Sequence, residues 1–162
     1  MNIENITYPD VNNGLGCRVT LWVSGCVHKC KGCHNYKTWD FNSGRMFGND
    51  EKQKLFQILN LPYIKGLTLS GGDPLCSYED ILLLVKEVKA KYPSKDIWLY
   101  TGYTKEEIYS LGMKNIFQYI DVLVDGRFNI DELDRGIAFR GSRNQVIWKK
   151  DENGIFVRSS LN

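Results

Sequence analysis

Three cysteines crowded into one short segment constrain this chain more than any other feature of its sequence. Cys26, Cys30 and Cys33 follow the spacing C-x3-C-x2-C. Four-iron clusters are usually held by four thiolates, one per iron, so three thiolates would leave one iron open to a ligand that reacts. The spacing therefore suggests a metal centre that the protein ligates incompletely.

The spacing alone leaves two other interpretations open. A tetrahedral zinc ion accepts mixed Cys and His ligands, so the three thiolates together with His28 or His34 are one alternative. Structural zinc sites usually pair C-x2-C with a second, distant ligand pair, and this sequence has none. The other alternative is a set of free thiols, either inert or redox-active.

Length, composition and charge indicate one catalytic domain over residues 1–162. The chain has 43% hydrophobic residues, enough for a single core, and its net charge of +2 creates no strong field towards nucleic acid or membranes. Residues 1–7 lack the features of a signal peptide, and the longest aliphatic run, 81–85, is too short to span a bilayer. An odd number of cysteines favours metal ligation in a reducing compartment over disulfides. We therefore expect a cytoplasmic protein with no nucleic-acid or membrane partner.

Apolar runs typical of strands alternate with helical patterns along the chain. Strands are predicted at 18–23, 66–70, 96–101, 120–124, 145–148 and 155–158, and helices at about 51–60, 77–92 and from 104 onwards. Such βα alternation predicts an α/β fold. The predicted helix starts resemble capping signatures, namely Asp50 with Gln53, Ser77 with Asp80, and Thr104 with Glu107.

The loops with unusual composition all follow predicted strands. Parallel βα units place the carboxyl ends of their strands at one rim, so we expect the cysteine loop, 71–74, 100–103 and 125–127 to converge. Gly71 and Gly72 would let the backbone approach a ligand closely, and Asp73 offers a carboxylate to an amino group. A tight turn before a helix is the alternative interpretation of these residues. Beside the cysteine loop, the turn predicts a site for a small molecule with an amino group.

The cysteine spacing followed by Gly71-Gly72-Asp73-Pro74 resembles the radical S-adenosylmethionine (SAM) enzymes. The flanking runs at 13–18, 21–26 and 32–39, with the C-terminal segment 139–145, resemble the activating proteins of anaerobic ribonucleoside-triphosphate reductases. The resemblance implies a partial, open parallel barrel of five or six βα units. The length of the chain agrees with this, because a complete eightfold barrel typically needs roughly 250 residues.

The resemblance also implies an activity. A [4Fe-4S] cluster would cleave SAM reductively, and the resulting radical would generate a glycyl radical on the large subunit of the anaerobic reductase. A flavodoxin-like or other reductant would supply the electron. Two alternatives remain at this point: an activase of another glycyl-radical enzyme, and a non-catalytic iron-sulfur or zinc module.

Residue roles follow from the resemblance position by position. The implied cluster ligands, and the residues that carry catalysis, are Cys26, Cys30 and Cys33. Implied SAM contacts are the turn Gly71, Gly72, Asp73 and Pro74 for the amino group, Gly32, Cys33 and His34 for the adenine, and Tyr100, Thr101 and Asp125 at strand ends. The wider superfamily more often has Glu where Asp73 stands. Cys17 and Cys76 are expected to be buried small hydrophobic residues, and His28 and His34 to be hydrogen-bonding groups of the loop.

Overall fold

A computed structural model describes residues 1–161, so that Asn162, the last residue of the expected domain, lies outside the described part. Its strands are β1 (Asn2–Asp10), β2 (Arg18–Val23), β3 (Arg45–Met46), β4 (Gly66–Gly71), β5 (Asp96–Tyr100), β6 (Val122–Asp125), β7 (Val146–Lys150) and β8 (Phe156–Arg158). Its α-helices are α1 (Asn49–Leu59), α2 (Tyr78–Lys91) and α3 (Lys105–Ser110). Short 3-10 helices lie at Tyr36–Thr38, Pro74–Ser77, Lys114–Gln118 and Ile130–Glu132.

All eight strands form one mixed sheet in the order β3-β1-β2-β4-β5-β6-β7-β8. The central strands β2, β4, β5 and β6 are parallel, and the strands on both sides pair antiparallel. The sheet is not closed, since β3 and β8 are its two edges. The α/β class is confirmed, but the parallel part has four strands where five or six βα units were expected. Among residues 1–161, no helix combines the length and the apolar character that crossing a bilayer requires.

The parallel strands form the centre of the hydrophobic core. Every residue of β4 is buried, and Leu21, Leu69 and Leu99 of three neighbouring strands are fully buried. This continuous burial is typical of parallel strands covered on both faces. The apolar faces of α1 and α2 belong to the same core, through Leu55, Leu59, Ile81 and Val85 among others.

The helix starts agree with the sequence only in part. At α3, Thr104 and Glu107 form the expected capping box. The prediction of a capping box at Asp50 was wrong. Helix α1 begins after Gly48, and Asp50 lies in its first turn, where the carboxylate interacts favourably with the helix dipole. Ser77 occupies the position before α2 without a side-chain cap.

The first strand, β1, was not predicted. It pairs antiparallel with β2, and the register shifts twice along the pair, between Ile3 and Asn5 and between Thr7 and Asp10. Because of these irregularities, the buried residues Ile3 and Ile6 are three positions apart instead of two. The strand therefore lacks the alternation by which strands are recognised in a sequence.

Candidate iron-sulfur and ligand site

A cavity of about 380 Å³ lies at the carboxyl ends of the parallel strands. Its wall includes nine of the residues singled out from the sequence as cluster ligands or SAM contacts: Cys26, Cys30, Cys33, His34, Gly71, Gly72, Asp73, Tyr100 and Thr101. Gly32, Pro74 and Asp125 do not line the cavity, although Asp125 directly precedes the lining residue Gly126. The expected convergence of the cysteine loop with the Gly71–Asp73 turn is therefore present.

The cysteine loop is held by backbone hydrogen bonds to the segment that follows it. The Gly25 N–H donates to the Thr38 carbonyl at 2.7 Å, and the Cys26 N–H donates to the Trp39 carbonyl at 3.1 Å. Gly25 has φ of +97°, and a Cβ there would overlap the ring of Phe41. Only glycine satisfies both conditions without displacing the loop.

The thiols of the site are free in this structure. Burial raises the pKa of Cys26, which is 8% exposed, and that of Cys30. Both thiols are therefore mainly protonated at neutral pH before metal binds, and binding of metal would release protons, because thiolates are the ligands.

The three thiols of the cavity wall suit an iron-sulfur cluster, whose irons each take one thiolate ligand. Tetrahedral zinc at about 2.3 Å from each sulfur would draw the sulfurs to within about 3.8 Å of one another. A four-iron cluster binds each thiolate to a separate iron, so it needs no such convergence on one point.

The Asp73 side chain in the cavity wall has four hydrogen-bond partners. Its carboxylate accepts from the Leu75 N–H at 2.9 Å and the Gly102 N–H at 2.8 Å. The Thr101 hydroxyl lies 2.9 Å from both carboxylate oxygens. His28 Nε2 lies 2.8 Å from Oδ2, and the Asp73 side chain is only 1% exposed. Asp73 thus joins the ends of β4 and β5 to the cysteine loop.

His28 is the hydrogen-bonding group that the sequence predicted. Its side chain is 4% exposed, and its ring meets that of Tyr103 edge to face at 4.4 Å. His34 lies in the cavity wall and is exposed.

Asp125 and Thr101 are already engaged within the protein. Asp125 accepts a hydrogen bond from the Lys105 N–H at 2.7 Å, at the start of α3, and burial raises the pKa of its carboxyl. The Thr101 hydroxyl bonds to Asp73. Contacts of these two residues with SAM stay predictions.

Part of the cavity wall consists of residues that were given no individual role from the sequence, although Gly102 and Gly126 lie in loops that were expected to converge there. It consists of Asn12, Asn13, Trp22, Asn35, Trp39, Ser70, Gly102, Gly126, Phe128, Ile137, Phe139, Arg140, Gly141 and Gln145. Segment 139–145 was noted only for its resemblance, and the fold brings it over the cavity, where Arg140 donates to the Gln145 carbonyl at 3.0 Å. The spacing of segment 139–145 does not signal the site, because its approach depends on the antiparallel pairing of β6 with β7.

The two cysteines outside the motif differ from the prediction in degree. Cys17 and Cys76 are half-buried instead of fully buried. Neither lines the main cavity. Burial raises the pKa of Cys76 to about 11, with the nearby Asp73 charge adding to the effect.

Comparison with known proteins gives this site a family. Residues 12–148 match the family model of the 4Fe-4S single cluster domain. The anaerobic ribonucleoside-triphosphate reductase-activating protein of Enterobacteria phage T4 is 45% identical over 94% of this chain and 96% of its own length. Its namesakes from Vibrio cholerae and Escherichia coli are 49% and 47% identical, over 86% and 91% of this chain and 93% and 97% of their own lengths. The chain therefore belongs to the family of anaerobic ribonucleoside-triphosphate reductase-activating proteins.

Proposed function

We propose that this protein activates an anaerobic ribonucleoside-triphosphate reductase by radical SAM chemistry. Cys26, Cys30 and Cys33 would hold a [4Fe-4S] cluster, and SAM would occupy the cavity beside it. The observation that carries the proposal is that the three thiols share one cavity wall with the Gly71-Gly72-Asp73 turn. The names of the relatives support the choice of the reductase over another glycyl-radical enzyme.

The residues present fit both groups. Three thiols and no fourth cysteine in the cavity wall leave one iron of a four-iron cluster for a ligand. The Gly71 and Gly72 backbone forms part of the wall without side chains, which suits a ligand that approaches the strand end closely. The segment 32–34 remains the proposed contact for the adenine.

When bound, the two groups supply a one-electron cleavage of the SAM sulfonium to methionine and a 5'-deoxyadenosyl radical, which takes a hydrogen atom from a glycine Cα. The chain itself would bind and orient the two groups, and it would exclude competing reactions. The strand ends and the loop 24–39 contribute residues to the cavity wall, and the sheet is not closed. We propose that a glycine-bearing loop of the large reductase subunit enters through the open side.

The remaining expectations belong to this proposal. The central parallel strands would form part of an open barrel, in one domain over residues 1–162. A flavodoxin-like or other reductant would deliver the electron. A reducing cytoplasm would keep the five cysteines free of disulfides.

Electron paramagnetic resonance of the reductase tests the proposal. The anaerobically reconstituted protein is incubated with SAM, dithionite and the large subunit, and a glycyl-radical doublet is expected. The matched variant Cys30→Ala should give no doublet. A doublet that persists in this variant contradicts the cluster assignment, and a wild-type protein that takes up only zinc and does not cleave SAM contradicts the function.

A further inference from the structure

The carboxylate of Asp73 is already fully used by the protein. An ionised carboxylate offers about four lone-pair positions. Four groups of the described chain occupy it: the Leu75 and Gly102 N–H groups, the Thr101 hydroxyl and His28 Nε2, all at 2.8–2.9 Å. A ligand amino group would therefore have to displace one of these donors.

The His28 contact is the one that reaches the cysteine loop. His28 lies between Cys26 and Cys30, two residues from each. Its ring is enclosed by Tyr103 on one side, and a Cβ at Gly102 would overlap its Cδ2 atom. The imidazole thus fits a closed slot at the end of β5, and this slot fixes the loop halfway between two of the three thiols.

We propose that Asp73 is a positioning residue: together with His28 and Thr101 it fixes the cysteine loop to the ends of β4 and β5, instead of contacting the amino group of SAM. This inference rests on the proposed function for its SAM part only. The network itself is a property of the chain without any ligand.

The physical reason is the cost of an unpaired buried charge. A buried carboxylate needs donors for its lone pairs. Removing one donor leaves the charge of the carboxylate incompletely compensated. Displacing His28 to admit an amino group would also release the loop that must hold the cluster. Displacing the Leu75 N–H would disturb the start of the 3-10 helix Pro74–Ser77, and displacing the Gly102 N–H would move the backbone just after β5.

Hydrogen exchange of the metal-free protein tests the network directly. In His28→Ala and in Asp73→Asn, amides of the segment 25–39 should exchange at least about tenfold faster than in the wild type, as expected for a lost charge-assisted hydrogen bond. The double variant should exchange no faster than the single ones, because both break the same link. His28→Gln, whose amide also donates, should stay within about threefold of the wild type. Amides of α2 serve as the internal control and Asp50→Asn as the exposed carboxylate control.

SAM affinity of the reconstituted protein then separates the two roles of Asp73. A positioning role predicts that His28→Ala and Asp73→Asn weaken SAM binding by similar factors. The proposal is overturned if Asp73→Asn weakens binding tenfold or more while His28→Ala leaves both binding and exchange unchanged. If His28→Ala does not fold, Thr101→Val against Thr101→Ser applies the same two measurements at the other anchor. If the wild type binds neither iron nor SAM, the proposed function fails while the exchange experiment still decides the network.

Discussion

The central sheet and the cysteine loop are ordered by different forces. In β4 all six residues are buried, and its neighbours contribute fully buried leucines to the same core. Between residues 24 and 44 the only helix is the 3-10 turn Tyr36–Thr38, and backbone hydrogen bonds from Gly25 and Cys26, with the His28 contact to Asp73, hold the loop.

This difference assigns the stability of the domain mainly to the central sheet and the geometry of the candidate site to the cysteine loop. Apolar burial contributes in proportion to area and stabilises the whole domain. Polar contacts in the loop are few and directional, so each one fixes a local geometry. Substitutions in the loop should therefore abolish the site while the domain stays folded, and substitutions in the sheet should do the reverse.

The largest expected effect is a loss of the metal site without a loss of the fold. Cys33→Ala should retain almost no iron after anaerobic reconstitution, while the free energy of unfolding of the metal-free protein changes by no more than about 0.5 kcal/mol. Iron and sulfide analysis and urea denaturation measure the two quantities. Cys17→Ala is the matched control and should keep its iron; full iron retention in Cys33→Ala would break the comparison.

A core substitution should give the opposite pattern. Leu69 is fully buried in β4, so Leu69→Ala should lower the free energy of unfolding by about 3 kcal/mol through lost burial and the cavity left behind. The fraction that remains folded should still bind iron. Urea denaturation checks the first part, with the exposed Leu83→Ala as control; an equal loss in both variants would argue against the assigned core.

The loop glycine Gly25 gives an intermediate effect. Gly25→Ala combines an unfavourable positive φ with overlap on Phe41, so it should lower the free energy of unfolding by about 2–3 kcal/mol and impair iron uptake. Gly154→Ala has a positive φ but open space around its Cβ, and should cost only about 1 kcal/mol. If the two variants lose equal stability, the packing of Phe41 does not constrain the loop backbone at Gly25.

The smallest effect concerns Asp10, which anchors another part of the cavity wall. Its carboxylate accepts from the Thr20 hydroxyl at 2.6 Å, the Asn12 N–H at 2.8 Å and the Asn13 amide at 2.7 Å. Burial alone would raise its pKa, but these hydrogen bonds outweigh burial and hold the pKa below the ordinary 3.8. A lowered pKa in the folded state stabilises the protein above pH 3.8, and this contribution disappears as the pH falls through the folded-state value.

Asp10→Asn should therefore lower the free energy of unfolding by about 1–2 kcal/mol at pH 6. The difference from the wild type should shrink below pH 3.8. Urea denaturation over this pH range measures it, with Asp50→Asn as an exposed control. A difference that does not change with pH would show that the charge of Asp10 contributes nothing.

The parts predicted correctly from the sequence have strong local signals. The strands β2, β4, β5 and β6 are short, mostly apolar runs that end at, or within two residues of, a glycine, threonine or aspartate. The capping box of Thr104 and Glu107 depends only on residues three apart. The parts that failed lack such signals: β1 is irregular in register, and the helix predicted to start after Asp50 begins two residues earlier, after Gly48.

The sequence by itself determined which side chains are available at the site. Cysteine spacing, the Gly71-Gly72-Asp73 turn and the flanking runs indicate the family and the residues proposed as donors. The tertiary structure alone decided how Asp73 is used. Its partners His28 and Thr101 are 45 and 28 residues away along the chain. They meet it only because β4 and β5 lie side by side in register and the cysteine loop returns over their ends. Contacts at such separations depend on sheet register, and no spacing in a sequence encodes that register.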